Sequence, residues 1–120
     1  MCAGMVVVNL PVRDPIASGD FYRALGFDVD EEYCEEEAVA VRLAPAVVVM
    51  LLSRERFGEF VGPGLAGRVP TPSLTSLGVP SRALVDALHD TALAHGGSSR
   101  SFVTQGPLYA RSFADPDGHV

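Results

Sequence analysis

The chain has 120 residues and a mass of 12.7 kDa, which is enough for one domain or two small half-domains but not for two independent cores. Hydrophobic residues make up 48% and charged residues 20% of the sequence, so the chain can fill a core, and disorder or low complexity is excluded. The formal net charge is −6 and all nine cations are Arg. This balance argues against a nucleic-acid partner, because phosphate recognition needs a basic face.

The cysteines and the apolar runs indicate the cellular compartment. Cys2 and Cys34 are too few for a disulfide scaffold, which favours a reducing environment. The first residues lack the positive charge of a signal peptide. The longest apolar run, residues 43–52, contains Pro45 and is far shorter than a bilayer span. We therefore expect a cytoplasmic protein with no membrane partner.

The first half of the chain predicts the order strand, helix, strand, strand, strand. Val-rich residues 5–12 predict a buried strand, and Asp14 followed by Pro15 predicts the start of a helix over 15–25. Gly26 is placed to end this helix in the left-handed conformation. Further strands are predicted at 27–33, 38–43 and 46–52, with a turn at 34–37 and a short helix from the cap Ser53 to residue 60.

A Gly- and Pro-rich linker at 61–72 predicts a boundary between a first module, 1–60, and a second module, 73–120. In the second module, residues 74–79 predict a strand, and Ser81 predicts the cap of a helix that ends at Gly96. Later segments predict short strands near 101–104 and 108–113 and a tight turn at 115–118.

The two modules repeat each other in pattern. Leu10-Pro11-Val12 matches Leu77-Gly78-Val79 at an offset of 67, and Gly26 falls near Gly96. The pattern favours paired modules, and a single ferredoxin-like split β-α-β is the alternative.

Two strings carry a resemblance to a known superfamily. These are Asn9-Leu10-Pro11-Val12-Arg13-Asp14 followed by Ser18-Gly19-Asp20-Phe21-Tyr22-Arg23-Ala24-Leu25-Gly26-Phe27, and the late string Asp115-Pro116-Asp117-Gly118-His119. Over nearly the whole chain the sequence resembles the vicinal oxygen chelate superfamily of glyoxalases, bleomycin resistance proteins and extradiol dioxygenases. The resemblance implies an α+β fold of paired βαβββ modules whose curved sheet surrounds a cavity, often completed by a dimer partner.

The same resemblance implies one further strand after Gly118. The sequence stops two residues later, so we expect either that the chain continues or that the second module lacks its last strand. The shared motif residues, such as Phe21 and Gly26, are expected to serve packing and turns rather than chemistry.

Metal-using members of this superfamily place a His, Gln or Glu on the first and last strands of each module. The resemblance carries these positions onto Val7, Leu74 and either Met50 or Leu51, and the fourth position falls beyond Val120. Apolar side chains cannot hold such a metal, so we expect no metal cofactor. We expect His89 and His95, which are six residues apart, to lie on the surface.

If those positions face a cavity, period-two alternation sends further side chains into it. Arg111 would be a fixed cation, with Asn9 and Tyr109 as hydrogen-bonding groups in a largely apolar pocket. The candidate ligand-binding residues are Val7, Asn9, Met50, Leu74, Ser76, Tyr109 and Arg111.

These observations favour a homodimeric small-molecule-binding protein of the bleomycin resistance type that works without a catalytic metal. One alternative is a metal-dependent enzyme, either a lyase similar to lactoylglutathione lyase or an extradiol-type dioxygenase. The other is a dimeric interaction module whose own side chains fill the cavity beside Asn9, Met50 and Arg111.

Overall fold

A computed structural model describes residues 2–61 and 75–120, and the chain divides into two compact units, Met1–Thr71 and Pro72–Val120. The fold class is mixed α+β, as predicted. The first unit contains β1 (Val6–Val12), α1 (Pro15–Ala24), β2 (Asp28–Glu35), β3 (Ala38–Ala44), β4 (Val47–Ser53) and α2 (Arg54–Val61). The second unit contains α3 (Arg82–Ala94), β5 (Ser98–Gln105) and β6 (Leu108–Ala114). No helix among the described residues has the length and apolarity needed to cross a membrane.

The first unit has the predicted strand and helix order, and its four strands form one mixed sheet in the order β1-β4-β3-β2. β1 pairs in parallel with β4, whereas β4, β3 and β2 pair antiparallel through short turns. β2 extends to Glu35, so Cys34 lies in the strand rather than in the predicted turn. The turn that follows occupies residues 36–37.

Helix α1 covers one face of this sheet. Its start follows the predicted chemistry, because the Asp14 side chain accepts hydrogen bonds from the amides of Ile16 and Ala17. Its end reaches Gly26, which has φ 100°. Between them, Phe21 and Leu25 are buried. The core on this face consists of Val12, Val39, Val41, Val49 and Leu51.

The second unit repeats the later part of the first at a separation of 70 residues, which relates Gly26 to Gly96 and Ala44 to Ala114. The predicted offset of 67 therefore does not apply to this part. α3 starts at Ser81, whose hydroxyl accepts a hydrogen bond from Leu84 N at 3.1 Å. β5 and β6 form an antiparallel pair, and both are longer than predicted.

The predicted strand at 74–79 does not form in its described part, residues 75–79. A strand requires a ladder of backbone hydrogen bonds to a partner strand. This segment instead has a single backbone hydrogen bond of this kind, which Thr75 N donates to Val120 O at 3.1 Å within the described residues. Leu74 and nearly all of the predicted linker at 61–72 lie outside the described residues.

The predicted turn at residues 115–118 is confirmed. Asp115 is buried, and its Oδ1 accepts hydrogen bonds from the amides of Asp117 and His119, each 2.9 Å long. Gly118 takes φ 89°, a conformation that glycine adopts without strain.

Candidate functional site

The face of the first unit's sheet opposite α1 carries an open groove of about 640 Å³. This volume falls within the range of small-molecule sites. The groove is lined mainly by apolar side chains, with charged residues from β2 and β3. Its lining includes Met5, Val7, Asp28, Asp30, Arg42 and Met50.

Strand register explains how distant parts of the sequence meet in this groove. Residues directly opposite one another on paired strands point to the same face of a sheet. One cross-strand row consists of Val7, Val48, Arg42 and Asp28, and the next consists of Asn9, Met50, Ala40 and Asp30. The apolar members lie on the central strands and the two carboxylates lie on the edge strand β2.

The charged side chains of the groove differ in how they are held. Arg42 Nη1 donates a hydrogen bond to the carbonyl of Pro45 at 3.0 Å, and Asp30 Oδ1 accepts one from Glu32 N at 3.0 Å. The side chain of Asp28 makes no hydrogen bond or ion pair within residues 2–61 and 75–120. The groove thus combines an apolar floor with polar groups that can orient a ligand.

Three predicted residues of the first module lie on this open face. Val7 and Met50 line the groove, and Asn9 pairs with Met50 in the register and is exposed. The structure also separates two candidates that the sequence left open. Leu51 has 0% exposure and belongs to the core on the opposite face, so Met50 is the residue of this pair that faces the groove.

The predicted residues of the second module have other surroundings. Leu74 lies outside the described residues, and Ser76 is exposed in a segment that is not a strand. Tyr109 and Arg111 share one face of β6, as alternation predicts, and that face packs against α3. The Tyr109 hydroxyl donates to Asp86 Oδ1 at 2.7 Å, and Arg111 Nη1 donates to the same oxygen at 3.3 Å. Ligand contact by these two side chains stays a prediction, and their described contacts give them a structural role.

This polar contact between α3 and β6 changes the acidity of its members. The hydrogen bond from Tyr109 lowers the pKa of Asp86 below its ordinary value. Burial opposes this shift, and Arg111 adds to it. The same bond raises the pKa of Tyr109. Both shifts favour the ionised carboxylate and the neutral phenol, which is the state that makes the bond.

The charged residues of the groove were not among the residues predicted from the sequence to bind a ligand. Asp28 and Asp30 fall within the strand predicted at 27–33, and Arg42 falls within the strand predicted at 38–43. The alternation of β2 could have placed both acids on one face. It could not have shown which face, because that choice depends on pairing with β3 and on the side that α1 covers.

The residues present do not fit a divalent metal. Val7 has no ligating atom and the Met50 thioether is a soft donor, whereas the superfamily's metals prefer nitrogen and oxygen ligands. Within residues 2–61 and 75–120 no group of three or more His, Cys, Asp or Glu side chains could hold an ion.

His89 is not the surface residue that the sequence predicted. It is 3% exposed, because it lies on the side of α3 that faces β5, and its Nε2 is 3.0 Å from Ser99 Oγ. Successive side chains of a helix turn from the sheet to solvent and back every few residues. The spacing between two histidines does not show which of them faces the sheet.

No protein-family model and no curated protein matches this chain. Solved structures do. A hypothetical protein, SA1046, from S. aureus is 28% identical, with a TM-score of 0.81 over 99% of this chain and 90% of that one. A glyoxalase-related enzyme from Fulvimarina pelagi is 23% identical, with a TM-score of 0.82 over 98% of this chain and 84% of that one. A lactoylglutathione lyase from Agrobacterium tumefaciens is 16% identical, with a TM-score of 0.66 over 99% of this chain and 90% of that one.

These similarities extend over almost the whole chain and agree with the motifs at residues 9–27 and 115–119. Similarity at this level of identity concerns the fold and leaves the reaction open. The chain therefore has the α+β fold of the glyoxalase, bleomycin resistance and dioxygenase proteins, which is the fold of the vicinal oxygen chelate superfamily.

Proposed function

We propose that the protein binds a small molecule in the groove on the open face of the first unit's sheet, and that it does so without a catalytic metal. The observation that carries this proposal is the groove itself, which has an apolar floor around Met50 and polar groups at one side. Such a surface can bury the apolar part of a molecule and hydrogen bond its polar end.

Binding can be tested with Nile red, a neutral dye that becomes fluorescent when it leaves water. The informative variant is Val7→Trp, which fills part of the groove, and the matched control is Val6→Trp. These neighbours are 47% and 52% exposed, and they point to opposite faces of β1. Both substitutions therefore add the same side chain at similar exposure.

We expect Val7→Trp to weaken dye binding at least about tenfold, which corresponds to about 1.4 kcal/mol, and Val6→Trp to leave it unchanged. Equal effects of the two substitutions, or no saturable binding to the unaltered protein, would contradict the proposal. When the expected difference is found, calorimetric titration of a library of small apolar amines and acids identifies the preferred ligand class.

A second candidate function is a metal-dependent lyase or an extradiol-type dioxygenase. It is favoured by the similarity to a lactoylglutathione lyase structure, at a TM-score of 0.66. The two functions are separated by metal analysis of the purified protein combined with assays on a hemithioacetal and a catechol. Stoichiometric Ni, Zn, Mn or Fe together with turnover would replace the binding function by the enzymatic one.

We also propose that the protein is a cytoplasmic homodimer. Support for the dimer comes from the open edge of β2 in the four-stranded sheet, since such edges are commonly covered in native proteins. Support for the cytoplasm comes from the free thiols of Cys2 and Cys34. Light scattering that gives a monomer at micromolar concentration would contradict the dimer, and recovery of the protein in a membrane or secreted fraction would contradict the compartment.

A further inference from the structure

A second group of reactive side chains lies in the second unit, where α3 packs against β5. His89 Nδ1 is 3.3 Å from Asp90 Oδ1, and His89 Nε2 is 3.0 Å from Ser99 Oγ. The three side chains thus form the connected series carboxylate, imidazole, hydroxyl. Nucleophilic serines of unrelated proteins share this order of contacts, which is recognised by geometry rather than by sequence position.

For a neutral imidazole, the chemistry of its two partners assigns the hydrogens of this series. An ionised carboxylate only accepts hydrogen bonds, so the contact with Asp90 places the imidazole hydrogen on Nδ1. In the neutral ring Nε2 is then an acceptor, and the Ser99 hydroxyl must be the donor. This is the arrangement in which an imidazole removes a proton from a hydroxyl that attacks.

Burial and exposure are distributed as this chemistry requires. His89 is 3% exposed, so its ring is held between helix and strand. Ser99 is exposed and can meet a molecule from solution. The register of β5 shifts between Ser99 and Ser101, and such bulges reorient side chains next to reactive sites. Arg111 Nη1 lies 4.0 Å from Asp90 Oδ1 and helps to hold this carboxylate in place.

We propose that Ser99 is a nucleophile that takes an acyl group from an activated ester, with His89 as its base and Asp90 as a positioning residue. Ser99 Oγ forms a bond to the ester carbonyl carbon while its proton moves to His89 Nε2. The bond from that carbon to the leaving oxygen breaks, and the leaving group takes the proton from Nε2. The products are an O-acyl serine and an alcohol or phenol. Attack by water, through the same proton transfers, releases a carboxylic acid and restores Ser99.

Diisopropyl fluorophosphate tests the nucleophile directly, because the Ser99 oxygen would form a bond to phosphorus and fluoride would leave. The full chain is treated with this reagent, and the modified residue is located by peptide mass mapping. Ser101 is the internal control, since it is an exposed serine on the same strand whose hydroxyl contacts Ser112 Oγ at 2.6 Å rather than an imidazole. We expect Ser99 to react about 100-fold faster than Ser101, the gain that a positioned base supplies.

Two variants test the roles of the other residues. His89→Gln removes the base, and Asp90→Asn keeps the shape of a side chain that is 73% exposed and so does not threaten the fold. We expect each to slow the labelling of Ser99 at least about tenfold. Asp90→Glu, which keeps a carboxylate, should label Ser99 faster than Asp90→Asn does, whereas a merely structural role of Asp90 would not distinguish the two variants.

Labelling of Ser99 at the rate of Ser101, labelling at another residue alone, or a Ser99 rate that Asp90→Asn leaves unchanged would overturn the proposal. None of His89, Asp90 and Ser99 lines the groove of the first unit. We therefore expect Val7→Trp to leave the labelling of Ser99 unchanged.

Discussion

Asp86 shows how one side chain alters the packing of an otherwise repeated helix and strand. Tyr109 and Arg111 lie 70 residues after Val39 and Val41, which are buried in the first unit's core. Valine needs only apolar neighbours, whereas a phenol and a guanidinium at a helix contact need an acceptor. Asp86 on α3 accepts hydrogen bonds from both side chains. The second unit therefore keeps the packing of a helix on a strand, with a polar contact in place of an apolar one.

Tyr109→Phe should lower the melting temperature at neutral pH, because it removes the hydrogen bond to Asp86 and keeps the edge-on ring contact with Phe102 at 5.4 Å. The pKa of Asp86 is lowered in the folded state, so the stabilisation is present above the ordinary value of 3.8 and is lost as pH falls through the lower folded pKa. Thermal unfolding from pH 7 to pH 2 should therefore show the two proteins converging in acid. A difference that stays constant over this range would contradict the assignment.

At the scale of elements, β4 contributes side chains to both the core and the groove of the first unit. It lies between β1 and β3 and carries Leu51 toward the core and Met50 toward the groove. Successive residues of a strand point to opposite faces, so adjacent positions separate stability from binding.

Leu51→Ala should lower the free energy of unfolding by about 2–5 kcal/mol, because it leaves a cavity among fully buried side chains. Met50→Ala should cost less stability, since Met50 is only partly buried, and should weaken Nile red binding. Urea unfolding and dye titration of both variants measure the separation. A larger stability loss for Met50→Ala than for Leu51→Ala would show that the register is different.

The contact between α1 and β3 is set by a glycine inside the helix. A Cβ atom added to Gly19 would lie 2.9 Å from Val39 Cγ1, which is closer than van der Waals contact allows. Alanine is favoured over glycine in a helix by about 1 kcal/mol, but overpacking costs about 1–3 kcal/mol.

Gly19→Ala should therefore destabilise the protein in spite of its better helix propensity. In a Val39→Ala background the clash is removed, so the same substitution should become neutral or stabilising. The comparison is made by denaturant unfolding of both single variants and the double variant. Equal effects of Gly19→Ala in the two backgrounds would show that the close approach to Val39 does not limit packing.

At the scale of the whole molecule, the absence of a suitable donor set at the groove has a measurable consequence. A ligand that binds only the folded state stabilises it by about 2.7 kcal/mol at a concentration of 100 Kd. We expect neither a chelator nor added Ni, Zn, Mn or Fe to change the melting temperature. A rise with one metal that the chelator reverses would contradict this expectation.

The charge of the whole molecule is unevenly distributed. Five Arg residues and 11 acidic residues lie within residues 2–61, whereas the described part of the second unit has three Arg and four acidic residues. The acidic excess follows β2, whose outer edge is unpaired in the sheet. Charge on an edge strand discourages pairing with other chains, so a dimer that uses this edge would have to neutralise it.

The sequence by itself determined the α+β class, the element order of the first unit and the caps and turns. These depend on local chemistry, such as Asp14 before Pro15, Gly26 at a helix end and Asp115 in a tight turn. It also determined that Val7 and either Met50 or Leu51, which the resemblance implies as metal-ligand positions, cannot ligate a hard metal.

Only the tertiary structure decided which face of each strand meets a helix. The alternation of side chains assigns residues to two faces of a strand, but it does not show which face a helix covers. A shift of the register by one residue exchanges the two faces. Strand pairing therefore placed Met50 rather than Leu51 in the groove, brought Asp28 and Arg42 beside it, and turned Tyr109 and Arg111 toward Asp86 on α3. The contact between His89 and Ser99 has the same origin, because no local pattern connects a helix residue to a strand residue ten positions later.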